Sequence, residues 1–141
     1  MEYEYRRLAE EKAILGRVDW AGRLPFRDFM TVIAKCDLAL YPSRTALNGD
    51  SEGGAPVTLI EAQWLGVPSI VSDHADLSFV AGPSAPVLDA TDVDAWAETM
   101  REHYRNPLAV KAQSVAARAF ARAHHAPETN VRAREEVYLG L

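Results

Sequence analysis

A chain of 141 residues is long enough to bury one sizeable hydrophobic core. Its composition, 48% hydrophobic and 25% charged, is that of a folded globular protein and excludes a disordered one. The net charge of −5 argues against a nucleic-acid partner, because binding a polyanion requires a clustered positive surface, and the single cysteine excludes an internal disulfide.

The first third of the chain predicts a helix, a strand and a second helix. Apolar residues at helical spacing predict a helix over residues 3–15, packed on a sheet and ended by Gly16. Residues 17–21 then predict a short strand. Residues 25–35 predict an amphipathic helix whose aromatic side chains lie in the core.

A strand, a loop, a helix and a strand follow in the middle of the chain. The apolar run 38–41 predicts a buried strand, and residues 44–50 a polar, turn-rich loop. A helix begins beside Pro56, where a missing N–H costs nothing, and ends at Gly66. With a second strand at 67–71, this is one βαβ unit.

The last part of the chain adds a short strand at 85–88 and three helices, at 92–105, 108–123 and 128–139. The predicted fold is a three-layer, Rossmann-like α/β domain of about four parallel strands with helices on both faces. Between the predicted strands at 67–71 and 85–88, His74 lies with Asp73 and Asp76. These are too few ligands for a tight metal site, so we expect no metal.

The loop before the central helix predicts an anion site. Gly53 and Gly54 let the backbone approach a ligand, while the helix N-terminus offers free N–H groups and a partial positive charge. Glu52 in the loop and Glu61 on the helix can flank that ligand, and carboxylates accept strong hydrogen bonds from hydroxyls. A phosphate held by amides beside hydroxyls held by carboxylates describes a nucleotide-sugar site.

This stretch resembles the donor-binding signature of retaining GT-B glycosyltransferases of glycosyltransferase family 4. The resemblance extends over roughly residues 8–107. It rests on three matching segments: Glu52-Gly53-Gly54-Ala55-Pro56, Glu61-Ala62 and Gly66-Val67-Pro68-Ser69-Ile70-Val71.

The resemblance implies roles for the site residues. The two candidates for the catalytic site are Glu61, which would hold the ribose hydroxyls, and Glu52, which would contact the hexose. The backbone that would face the sugar and phosphates is that of Gly53, Gly54, Ala55, Pro56 and Val57, although Pro56 itself has no N–H. The loop residues that would contact the nucleotide base are Gly22, Arg23 and Leu24. The alternative for Arg23 is that it is a surface residue with no role in binding.

Departures from the family pattern point to an incomplete enzyme. Eight residues separate Glu52 from Glu61, one more than is usual, and Phe79 stands where many relatives have a glutamate. The βα unit whose Arg and Lys neutralise the diphosphate has no match, and neither does the acceptor-binding half. We therefore expect the C-terminal half of a GT-B enzyme, truncated at its N-terminus and inactive alone.

The implied function is transfer of a hexose with retention from a UDP- or GDP-sugar, in polysaccharide or glycolipid biosynthesis, with no cofactor besides the donor. Residues 1–107 would form the partial nucleotide-sugar-binding domain, and 108–141 a helical segment packed on it. Expected partners are the missing N-terminal acceptor domain, a second copy covering an exposed apolar strip, and a membrane reached through the acceptor. Without a signal sequence or an apolar span, we expect a cytoplasmic protein.

The sequence leaves two other classes of function open. One is a non-catalytic α/β nucleotide-binding or interaction domain that retains the GT-B scaffold, which the missing basic pair favours. The other is a GT-B-related nucleotide-sugar epimerase, for which the sequence offers no convincing acid and base.

Overall fold

The computed structural model describes residues 2–51 and 56–140, with the backbone alone at Ala133. This part of the chain contains seven α-helices and three strands, with a 3-10 helix at Leu15–Arg17. The elements are α1 (Glu2–Glu11), α2 (Phe26–Ile33), β1 (Ala39–Tyr41), α3 (Val57–Leu65), β2 (Ser69–Ser72), α4 (Leu77–Ala81), β3 (Val87–Leu88), α5 (Val93–Arg105), α6 (Pro107–His124) and α7 (Pro127–Leu139).

The strands form one parallel sheet in the order β1-β2-β3. Tyr41 of β1 lies beside Val71 of β2, which in turn lies beside Val87 of β3. All four residues of β2 are buried, and successive side chains of a strand point to opposite faces, so both faces of the central strand are covered. The predicted α/β class is confirmed.

The ends of α3 follow directly from the sequence. Pro56 precedes the first helical residue with extended backbone, and Gly66 ends the helix in the left-handed conformation at φ 75°. The N–H of Val67 turns back to donate to the carbonyl of Ala62 at 2.8 Å. Both predicted boundaries of this helix are confirmed.

The core lies between α3, α4 and the sheet. Its central cluster joins residues from these three elements: Leu59, Val71, Leu77, Val80 and Ala81. Helix α4 was not predicted from the sequence, because its five residues are too few to show a helical period.

Helix α6 is attached to this core by polar side chains that donate to backbone carbonyls. Gln113 donates to the carbonyl of Ser69 at 2.9 Å. Ser114 donates to the carbonyl of Gly66, and Arg118 to that of Leu65. The carbonyls at a helix C-terminus have no partner within the helix, so α6 supplies the missing donors and fixes the α3–β2 turn.

The predictions for the N-terminal third are partly wrong. Helix α1 ends at Glu11 because the chain turns at Ala13, where φ is 55°. Its larger apolar side chains are exposed and only Ala9 is buried, so α1 does not pack on the sheet as predicted. The predicted strand at 17–21 is wrong: Arg17 ends the 3-10 helix, and residues 18–21 have no neighbouring strand with which to pair. Three of the four predicted strands are therefore present.

One predicted core position is also wrong, since the side chain of Phe26 in α2 is 67% exposed. The start of α5 is confirmed, since the Asp92 carboxylate accepts from the N–H of Ala95 at 3.0 Å.

Among the described residues, none of the helices combines the length and apolar character needed to cross a bilayer.

Candidate functional site

The loops that follow the three parallel strands meet at one edge of the sheet, where ligands bind in α/β proteins. Two hydrogen bonds join the loop after β1 to the end of β2 and the loop after it. The Ser72 hydroxyl donates to the carbonyl of Ser43 at 2.6 Å. The Ser51 hydroxyl lies 2.9 Å from Nε2 of His74. The loop that leads toward α3 is therefore anchored over the carboxyl edge.

The N-terminus of α3 opens at this edge. The carbonyl of Pro56 accepts from Leu59 at 3.0 Å, so the intrahelical hydrogen bonds begin there. The N–H groups of Val57 and Thr58 come before the first intrahelical hydrogen bond and have no acceptor within the helix. No described side chain caps the helix either. Val57 is 65% exposed. Two donors with no acceptor among the described residues, at the positive end of the helix dipole, suit an anionic ligand.

Glu61 lies one turn further along α3 and is half-buried. It is three residues beyond Thr58, so the two share one face of the helix. The carbonyl of Thr58 accepts a hydrogen bond from the Tyr41 hydroxyl at 2.8 Å. The site thus combines backbone donors, a carboxylate and a tyrosine from β1.

The Tyr41 hydroxyl is held in its protonated form. Burial raises the pKa of Tyr41 to about 12, and the negative charge of Glu61 adds to this rise. Tyr41 is therefore a hydrogen-bond donor at neutral pH. We did not predict it as a site residue from sequence, although its place at the carboxyl end of β1 was the available signal.

Residues 1–122 match the profile of the family described as glycosyl transferases group 1. The chain belongs to this family. Because the match covers most of the chain, including the carboxyl edge of the sheet and α3, the candidate site lies within the family domain.

Two curated relatives support the assignment. One is the "GDP-mannose-dependent monoacylated alpha-(1-6)-phosphatidylinositol monomannoside mannosyltransferase" of Corynebacterium glutamicum, 30% identical over 123 residues that are 86% of this chain and 32% of the relative. The other, from Salmonella typhimurium, is named as a colanic acid biosynthesis glycosyltransferase and is 29% identical over 106 residues, 74% of this chain and 26% of the relative. The chain spans about a third or less of their length.

A solved structure shares the fold. Sucrose-phosphate synthase from Thermosynechococcus elongatus superimposes with a TM-score of 0.82 at 18% sequence identity, over 98% of this chain and 33% of the synthase. The predicted GT-B type of fold is confirmed by this match.

Of the site residues predicted for this group 1 glycosyltransferase chain, four lie outside the described residues: Glu52, Gly53, Gly54 and Ala55. The structure places Pro56, Val57 and Glu61 together on the first two turns of α3. Their assignment to a ligand stays a prediction.

The predicted base-contacting residues lie in a different segment. They belong to the loop before α2, where Gly22 has a φ of 60°, Arg23 is exposed and Leu24 is half-buried. Helix α2 packs against α3 and thereby connects this loop to the site. Their role in binding the base also stays a prediction.

Other polar residues at the edge have structural partners. Within the described ranges, no group of three or more His, Cys, Asp or Glu side chains could hold a metal ion. His74 instead bridges to Ser51. The Asp89 carboxylate accepts from the N–H and the hydroxyl of Thr91, both at 2.7 Å, and these bonds lower the pKa of Asp89. Asp89 therefore shapes the turn after β3.

Proposed function

We propose that this chain is the donor-binding part of a retaining hexosyltransferase that uses a UDP- or GDP-sugar in polysaccharide or glycolipid biosynthesis. One observation carries the proposal. The start of α3 presents two N–H groups, with no acceptor among the described residues, at the carboxyl edge of the sheet, and Glu61 lies one turn away on the same helix. Membership of the glycosyl transferases group 1 family supplies the transferase class.

In this proposal the helix N-terminus binds the diphosphate. The N–H groups of Val57 and Thr58 donate to phosphate oxygens. The leaving nucleoside diphosphate gains negative charge as its bond to the sugar breaks, so fixed dipoles aimed at it stabilise the transition state more than the ground state. This part of catalysis requires no side-chain acid or base.

Glu61 holds the ribose in the same proposal. Its carboxylate accepts hydrogen bonds from the ribose hydroxyls, and Glu52, outside the described residues, contacts the hexose. The two glutamates are therefore binding groups, in contrast to the acid and nucleophile pair of a glycoside hydrolase.

The remaining proposals concern partners. We propose an acceptor-binding domain in the same enzyme, a cytoplasmic location, and contact with a membrane through a lipid-linked acceptor. A homodimer could cover the apolar side chains that the described part of the chain exposes. The relative from Corynebacterium glutamicum is named as GDP-mannose-dependent, which makes GDP-mannose the first donor to test.

Calorimetric titration of this chain tests the donor site. UDP, GDP, UDP-glucose and GDP-mannose are each titrated into the wild type, Glu61→Gln and Glu136→Gln. A hydrogen bond to a charged group contributes about 1.5–3 kcal/mol, so Glu61→Gln should weaken binding about tenfold or more. The exposed Glu136 of α7 provides the matched control and should leave binding unchanged.

Two results would contradict the proposal. Absence of saturable binding by all four ligands at millimolar concentration would support a non-catalytic interaction domain instead. Binding that Glu61→Gln and Glu136→Gln affect equally would remove Glu61 from the site.

A further inference from the structure

We infer that Tyr41 is a positioning residue for Glu61. The hydrogen bond from the Tyr41 hydroxyl to the first turn of α3 sets how strongly the site prefers ribose over 2′,3′-dideoxyribose. The inference rests on the proposed function, in which Glu61 receives the ribose hydroxyls. Tyr41 itself would not touch the nucleotide.

The strand register places the Tyr41 ring beneath α3. Tyr41 lies beside Val71 in the parallel β1–β2 pair, so their side chains share one face of the sheet. Val71 belongs to the core cluster that includes Leu59 of α3, and Tyr41 packs against that cluster. The ring is therefore fixed between the end of β1 and the inner side of α3.

The hydroxyl reaches the helix turn that leads to Glu61. It donates to the carbonyl of Thr58 at 2.8 Å, three residues before Glu61. At the other end of α3, Ser114 and Arg118 donate to the last carbonyls. With both ends tied to neighbouring elements, α3 is held against rotation about its axis, and such a rotation would swing Glu61 away from the edge of the sheet.

The electrostatics favour the protonated hydroxyl that this hydrogen bond requires. Burial and the nearby Glu61 carboxylate both disfavour ionisation of Tyr41, so its pKa is raised and the hydroxyl stays protonated at neutral pH. A phenol that keeps its proton is a steady donor and a poor general base. Its position supports a role in holding α3.

The substitution Tyr41→Phe removes the hydroxyl and keeps the ring in the core. Affinities for GDP, UDP and their 2′,3′-dideoxy forms are measured by calorimetry for the wild type, Tyr41→Phe, Glu61→Gln and Tyr104→Phe. Tyr104 of α5 is 90% exposed and is the matched control. Thermal unfolding of each variant is recorded alongside.

We expect the wild type to bind the ribonucleotide at least tenfold more tightly than the dideoxy form, and Glu61→Gln to abolish this preference. Tyr41→Phe should reduce the preference at least threefold, while its affinity for the dideoxy nucleotide stays within twofold of the wild type. Tyr104→Phe should behave as the wild type. A role confined to general stability would not change the preference.

Each other outcome overturns a distinct claim. If Tyr41→Phe weakens binding of the ribonucleotide and of the dideoxy nucleotide equally, or weakens binding of neither, the positioning role is wrong while the donor site stands. If the wild type binds without preferring ribose, both the ribose role of Glu61 and the positioning role are wrong. If the wild type binds no nucleotide, the proposed function is wrong and the inference falls with it.

Discussion

Gly66, which ends α3, offers a sharp test of how the helix is held. Its φ of 75° lies in the left-handed region, where a side chain costs roughly 1–2 kcal/mol. A Cβ at this position would lie 2.6 Å from a guanidinium nitrogen of Arg118. The flexible Arg118 side chain would move aside and lose its hydrogen bond to Leu65, worth about 1 kcal/mol.

We therefore expect Gly66→Ala to lower the free energy of unfolding by about 2–3 kcal/mol and the melting temperature by about 5–10 °C. Urea unfolding of Gly66→Ala, Arg118→Ala and the double variant separates the two contributions. In the Arg118→Ala background, Gly66→Ala should cost only the backbone strain, a difference of about 1 kcal/mol from its cost in the wild type.

Two further variants complete the experiment. Gly66→Asn, whose side chain tolerates the left-handed region, should retain the Arg118 clash and lose most of the strain. Gly16→Ala is the matched control, because no atom lies within 4 Å of its Cβ position and its φ is not left-handed, so stability should stay within about 0.5 kcal/mol. The reasoning would be refuted by a Gly66→Ala variant as stable as Gly16→Ala, or by additive effects in the double variant.

Two other predictions concern the same core. Gln63 is fully buried, and its amide donates to the carbonyls of Val80 and Ala81 at 3.2 and 2.7 Å. The substitution Gln63→Met keeps a similar shape and removes both donors, so it should lower the free energy of unfolding, measured in urea, by about 1–3 kcal/mol. Unchanged stability would contradict this prediction. Because the pKa of Tyr41 is raised, its neutral form stabilises the fold fully below about pH 10, and this contribution is lost as pH rises toward about 12. In urea unfolding across that range, Tyr41→Phe should lose less stability than the wild type. Equal losses of stability in the two proteins would contradict the raised pKa of the half-buried phenol.

Much of the fold could be predicted because its signals are local. Pro56 and Gly66 bound α3, Asp92 caps α5, and the apolar runs at β1 and β2 were recognisable as strands, since each signal acts through the backbone within a few residues. The glutamates and glycines around residue 52 carried the resemblance to glycosyltransferases, and the family match confirmed the class.

By itself the sequence determined both ends of α3, the start of α5 and the family to which the chain belongs. The tertiary structure decided which predicted segments pair: residues 17–21 had the pattern of a strand yet form none, because pairing depends on a neighbour distant in the chain. It also decided that Tyr41 holds Thr58 and that Arg118 reaches Leu65, contacts across 17 and 53 residues. Such contacts depend on how whole elements pack, and no local pattern of residues encodes them.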